Sequence, residues 1–199
     1  MSLVSDFGNR WTDGFKTDSY YLARVGLDYN VNSTMRLAGG FAHFGYLTDG
    51  KITKAEYRTY QEMNLKNVFN KFSIKHRYRI EQRSFRSVGS DVVTNSFNWR
   101  FRYAVTFSIP MVKFDKGQQL KLNVINEIFI NAGKQIVNKT FDQNRLMISP
   151  TFDFNKNLSL AVTYNNQIAG TATAGDFKHA NVIWFQIKQK MDFTRKRNE

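Results

Sequence analysis

From residue 96 to 110, hydrophobic and polar positions alternate without interruption. Phe97, Trp99, Phe101, Tyr103, Val105, Phe107 and Ile109 occupy one parity, and Asn98, Arg100, Arg102, Ala104, Thr106 and Ser108 the other. Successive side chains of a strand point to opposite faces, so this period of two predicts one long β-strand. Soluble strands usually run to about 5–6 residues, whereas a bilayer-crossing strand needs about 9–11. The length of this segment favours the second kind.

The preceding segment repeats the rhythm with sharper contrast. Phe72, Ile74, His76, Tyr78 and Ile80 share one face, and Lys71, Ser73, Lys75, Arg77, Arg79, Glu81 and Arg83 share the other. Further on, Leu120, Leu122, Val124, Ile128 and Ile130 alternate with Lys121, Asn123, Glu127 and Asn131, and Leu158, Leu160, Val162 and Tyr164 with Ser159, Ala161, Thr163 and Asn165. The full pattern predicts strands over 2–11, 18–31, 34–47, 55–67, 70–85, 95–110, 118–132, 140–154, 157–170 and 179–193. No helical period competes and no linker divides the chain. The expectation is a single all-β domain over 1–199, an up-and-down antiparallel transmembrane β-barrel of about ten strands. Its first strand is thin in alternation.

The connections carry separate information, because bacterial barrels have short periplasmic turns and longer external loops. Short turns are expected at 31–34, 69–71 and 155–157, and long connections at 49–54, 88–94, 133–139 and 172–178. The 111–118 connection is longer than this rule prefers. An even strand count places both termini on one side, the periplasmic one in this reading.

Composition changes the picture in two ways. The 199 residues contain no cysteine, two prolines and 15% aromatic residues, with a mean hydropathy of −0.47. No apolar run approaches the ~20 residues of a membrane-spanning helix. A barrel strand shows only half its residues to lipid, so a hydrophilic average does not argue against a membrane. Residues 1–11 lack the charged start and apolar run of a leader peptide, so the numbering is expected to begin at or after the mature terminus.

The formal net charge of +13 at first invites a nucleic-acid partner. Most of this charge alternates through hydrophobic strands, however, and the only basic run is Arg195, Lys196 and Arg197, so no nucleic acid is expected. If the sheet closes, the charged parity turns inward together. Arg58, Glu62, Arg77, Arg79, Glu81, Arg83, Arg100, Arg102, Glu127 and Arg145, with Glu56, are the candidates for a lumen network that braces or lines the interior. Arginine suits that role because its planar fork binds carboxylates bidentately. Any water path through an excess of positive charge would favour anions. Tyr21, Tyr29, Trp99 and Trp184, together with Trp11 and Tyr20, are placed for an aromatic girdle at the membrane interfaces.

Four segments, 76–83 (HRYRIEQR), 100–110 (RFRYAVTFSIP), 126–131 (NEIFIN) and 143–145 (QNR), resemble the bacterial outer-membrane barrel family labelled domain of unknown function 2490. The resemblance covers nearly the whole chain and implies a barrel in the outer membrane. It brings no activity that could be carried over.

The candidate chemistry is otherwise sparse. His43, His76 and His179 have no metal-ligand spacing, so neither metal nor cofactor is expected. Ser73, Ser108 and Ser159 are not grouped with a histidine, and no enzyme is expected. The glycines Gly39, Gly40 and Gly45 precede no helix and are read as relieving crowding in the sheet. The reading is a non-enzymatic barrel, structural or partner-binding, and porin-like if its pore is open. Its partners would be outer-membrane lipid, including lipopolysaccharide, and a membrane protein that covers His76, Thr59 and Gln61. A soluble barrel binding a small apolar ligand and a lipid-modifying outer-membrane enzyme remain as alternatives.

Overall fold

A computed structural model describes residues 1–89, 95–114 and 117–191. Ten strands follow in chain order: β1 (Ser2–Thr12), β2 (Thr17–Asn30), β3 (Met35–Thr48), β4 (Lys51–Val68), β5 (Ser73–Ser87), β6 (Asn95–Lys113), β7 (Gln119–Ala132), β8 (Phe141–Asp153), β9 (Leu158–Gly170) and β10 (Phe177–Gln189). Each pairs antiparallel with its sequence neighbours, which gives one up-and-down sheet. The sheet curls into a trough, and β1 and β10 are its two edges. Among the described residues there is no helix, and hence none long and apolar enough to cross a membrane.

Facing side chains follow directly from register. Tyr60 pairs with Gly40 and with Glu81, and Glu81 with Arg100, so the charged parity of every strand shares one face. That face is the buried one: Glu56 is 0% exposed, and Glu81 and Glu127 are each 2% exposed. The opposite face carries Phe41, Tyr78, Phe101, Phe107, Ile148 and Val162 in the open, and Phe185 reaches 67% exposure. Burial is therefore inverted relative to a water-soluble sandwich, whose inward parity is apolar.

The thin first strand is complete in structure, running eleven residues against β2. Two connections differ from expectation. The long connection expected at 49–54 is a two-residue hairpin turn, because β4 already begins at Lys51. Asp49 and Gly50 both have positive φ, 51° and 72°, the backbone that the tightest hairpins require and that Asp-Gly tolerates. At the other end of β6, Pro110 stays inside the strand, and the ladder shifts register between Pro110 and Val112 to accommodate its missing N–H.

Two turns at the end where β1 begins and β10 finishes share one form. At 31–34, Asn32 Oδ1 accepts hydrogen bonds from the backbone N–H groups of Thr34 and Met35 at 2.9 and 2.8 Å. At 154–157, Asn155 Oδ1 does the same for Asn157 and Leu158, at 2.8 and 2.9 Å. The two turns thus share one asparagine-stabilised form. The longer connections 133–140 and 171–176 lie at the opposite end, together with the two-residue turn at Asp49 and Gly50.

Candidate functional site: a buried ionic lattice

The concave wall from β4 to β8 gathers the charged residues into a continuous lattice. Glu62 on β4 receives Arg79 of β5 through Nε at 2.7 Å and Nη2 at 2.5 Å, and Asn64 Nδ2 donates to its other oxygen at 2.7 Å. Arg77, two residues before Arg79, reaches past β6 to Glu127 Oε1 on β7 at 2.5 Å. Arg102 of β6 donates to that same oxygen at 2.8 Å and, through Nη1, to Glu81 Oε1 at 2.6 Å. Arg100 takes the second oxygen of Glu81 at 2.5 Å and reaches Asp142 at 3.1 Å.

A further knot lies toward the long-loop end. Glu56 accepts from both Arg58 and Arg83, the latter at 2.5 Å through Nε, and from the Tyr46 hydroxyl at 2.7 Å. Arg58 Nη1 stands 3.8 Å from Glu81 and joins this knot to the rest. Such closely paired, charge-assisted bonds offset the cost of taking the ions out of water, and removal of one partner strands the other.

Aromatic rings are built into the same lattice. Phe129, 1% exposed, has the Arg102, Arg145 and Arg100 guanidinium carbons 4.4, 4.7 and 5.3 Å from its ring centre. Tyr60 lies between Arg79 and Arg24, at 4.5 and 5.8 Å. Its hydroxyl crosses the backbone of β2 and β3, where a Cβ on Gly26 would meet it at 2.3 Å and one on Gly40 at 2.8 Å. Glycine at both positions makes room for the ring, which spans the trough floor from β4 to β2.

Of the ten charged candidates, nine have carboxylate–guanidinium contacts within this lattice. Arg145 is the exception. It lies opposite Glu127 in the β7–β8 ladder, yet has no carboxylate within ion-pair distance among the described residues, and its Nε has no hydrogen-bond partner. Its guanidinium sits instead between the rings of Phe129 and Trp184, the latter 5.4 Å away.

That contact corrects the girdle expectation for Trp184. Paired with Thr163 on the inward parity, Trp184 faces the trough, not the outer surface. Tyr20 also turns inward, onto Phe44 and Tyr46 at 5.9 and 5.7 Å. Tyr21, Tyr29 and Trp99 belong to the outward parity; the Tyr21 ring covers Gly45, where an added Cβ would meet it at 2.2 Å.

Asp142, Asn64, Asn131, Tyr46, Phe129 and Tyr60 take part in the lattice but were not among the sequence candidates. Phe129 had a visible signal, since it falls on the same parity as Glu127 and Asn131 and breaks that strand's polar side.

The awkward polar residues of the outer face find one another. His76 Nδ1 and the Tyr103 hydroxyl are 2.8 Å apart, Thr59 and Gln61 hydrogen-bond Gln82, and Asn126 pairs with Asn144 at 3.1 Å. The serines Ser73, Ser108 and Ser159 lie on the inward parity, and His43, His76 and His179 on the outward one. Among the described residues no group of three His, Asp or Glu side chains is placed to hold a metal ion. The site can bind charge to charge and fix strand register, since a one-residue slip would turn the lattice arginines of that strand outward.

A search of curated proteins finds no match for the chain. The family model described as "Protein of unknown function (DUF2490)" matches residues 1–178. Ten alternating strands with their charged rows gathered on one buried face are thus the form taken here by a member of the DUF2490 family, to which this chain belongs.

Proposed function

We propose that the protein is an integral β-barrel of the bacterial outer membrane that acts as a structural or partner-binding subunit with a filled interior. The observation that carries this reading is the inversion of burial: carboxylates and guanidinium groups are enclosed while rows of Phe, Tyr, Ile and Val stand in the open. In water that arrangement would expose a large apolar surface, and in hydrocarbon it is the favourable one. A soluble ligand-binding barrel would need the opposite parity inside.

Three further features support the same reading. The outer-face polar groups His76, Gln82 and Asn126 are each hydrogen-bonded across strands, as a water-free setting demands. β1 begins and β10 finishes at the end that carries the 31–34 and 154–157 turns, which is the periplasmic one in this orientation. The unpaired edges of β1 and β10 would cost several kcal/mol per backbone group in lipid, so this reading requires them to meet and close the barrel.

The interior is braced rather than open: Arg and Glu side chains from β4–β8 pair across the concave face, and the Tyr60 ring lies over the neighbouring strands, where Gly26 and Gly40 leave room. Any conduction is narrow, and the surplus guanidinium of Arg145 would favour anions. The test is detergent dependence. The purified chain should be monodisperse in micelles and aggregate when detergent is removed; a monodisperse species in plain buffer would contradict the proposal.

A further inference from the structure

At the long-loop end of the outer face, Tyr57, Ser84 and Phe97 lie side by side on β4, β5 and β6. The small serine between two rings leaves a slot, because strands two apart are separated by about 10 Å. The slot belongs to a cleft of about 400 Å³. Both walls are held from behind: the Tyr57 ring packs on His43 at 4.8 Å, and Phe97 meets Trp99 edge-on at 5.8 Å.

Arg86 stands two residues above Ser84 on the same face of β5, at the mouth of the slot. It is exposed and has neither carboxylate nor hydrogen-bond partner among the described residues. Lys54, on the inward parity of β4, lines the recess behind the slot, its Nζ 4.3 Å from the centre of the Phe85 ring. Among the described residues that line the cleft none is acidic, so the Arg86 guanidinium faces the opening without a counter-charge among them. Below Ser84 the floor continues as Gln82, hydrogen-bonded to Thr59 and Gln61, which is polar surface on an otherwise apolar face.

We propose that this slot holds the phosphorylated saccharide headgroup of a glycolipid, with Arg86 on the phosphate, Ser84 on a sugar hydroxyl and Tyr57 and Phe97 against the faces of the sugar ring. An arginine fork suits phosphate oxygens, and aromatic walls suit a body that is apolar on its faces and polar at its rim. The apolar outer face below, with Ile80 and Phe101 exposed, continues where acyl chains would lie. The proposal rests on the membrane reading, because only a leaflet presents such a headgroup at this height.

The full chain in neutral detergent micelles would be offered a diphosphorylated disaccharide glycolipid and its dephosphorylated counterpart, with retention read by native mass spectrometry. Retention of the phosphorylated form should exceed the other by about tenfold, the scale of one charge-assisted contact, and millimolar inorganic phosphate should not displace it. Arg86→Gln should remove that preference, and Ser84→Trp, which fills the slot, should abolish retention of either form. Both variants should keep the gel mobility of the folded wild type, so a failure to fold is recognised separately. Equal retention of the two glycolipids, unchanged retention in both variants, or displacement by inorganic phosphate would each overturn the site. Those results leave the barrel reading standing, whereas a chain that is monodisperse without detergent removes the barrel and the site together.

Discussion

Arg77 on β5 donates to Glu127 on β7 across the intervening strand, Nη2 to Oε1 at 2.5 Å. Arg102, on that intervening strand, donates to the same oxygen, so one carboxylate ties three strands. Replacing it with a neutral amide leaves Arg77 and Arg102 enclosed without their counter-charge. Glu127→Gln should lower stability by about 3 kcal/mol, the scale for removing one member of a buried ionic group. Urea unfolding in micelles measures this, and a midpoint equal to the wild type would remove the bracing role.

Arg145 separates position from partnership. It stands opposite Glu127 in the ladder but stacks between Phe129 and Trp184 without a carboxylate within reach. Arg145→Met keeps the stem volume and strands no carboxylate, so it should cost no more than about 1 kcal/mol, far less than Arg102→Met. Equal losses for the two variants, by the same urea titration, would show that the contacts do not govern the energetics.

Two glycines of β3 offer a matched pair of tests. A Cβ at Gly40 would meet backbone, the Val25 carbonyl oxygen at 2.2 Å and the Gly26 Cα at 2.6 Å, as well as the Tyr60 hydroxyl. At Gly45 the three nearest atoms all belong to the Tyr21 side chain. Both Gly→Ala changes should destabilise by about 1–3 kcal/mol, the range for overpacking. Adding Tyr21→Ala should relieve most of the Gly45→Ala cost, whereas Tyr60→Ala should leave that of Gly40→Ala in place. A double-mutant cycle decides between these outcomes.

The alternation of the strands made most of the fold legible. Residues 96–110 declare their two faces outright, and even the thin β1 forms where it was expected. The turn at Asp49 and Gly50 was legible too, since Asp-Gly is a hairpin signal, but the surrounding lysines and threonines read as loop although they continue the strand. Parity also placed the charged residues on one face. It could not show which carboxylate each guanidinium would reach, because Arg77 makes its hydrogen bond to a residue fifty positions away on β7 rather than to Glu62 on the adjacent strand. The lodging of Tyr60 over Gly26 and Gly40 was equally invisible, since it depends on the register of three strands at once. The basic run Arg195–Arg197 lies outside the described residues.

The cross-strand amides of the outer face test its surroundings. Asn126 and Asn144 hydrogen-bond each other on a face of exposed Ile and Leu. Asn126→Leu alone should destabilise by about 1–3 kcal/mol because Asn144 loses its partner, while the double Leu variant should recover to about the wild-type value. Urea midpoints in micelles provide the readout, and a double variant no more stable than the single one would argue that this face does not meet hydrocarbon.

The central claim is that the apolar rows face lipid around an enclosed ionic interior. The most direct measurement is electrophoretic mobility of the protein from an outer-membrane fraction, loaded unheated and boiled. A folded barrel resists the detergent of the gel and should migrate apart from the boiled chain; recovery in the soluble fraction with one common mobility would contradict the account.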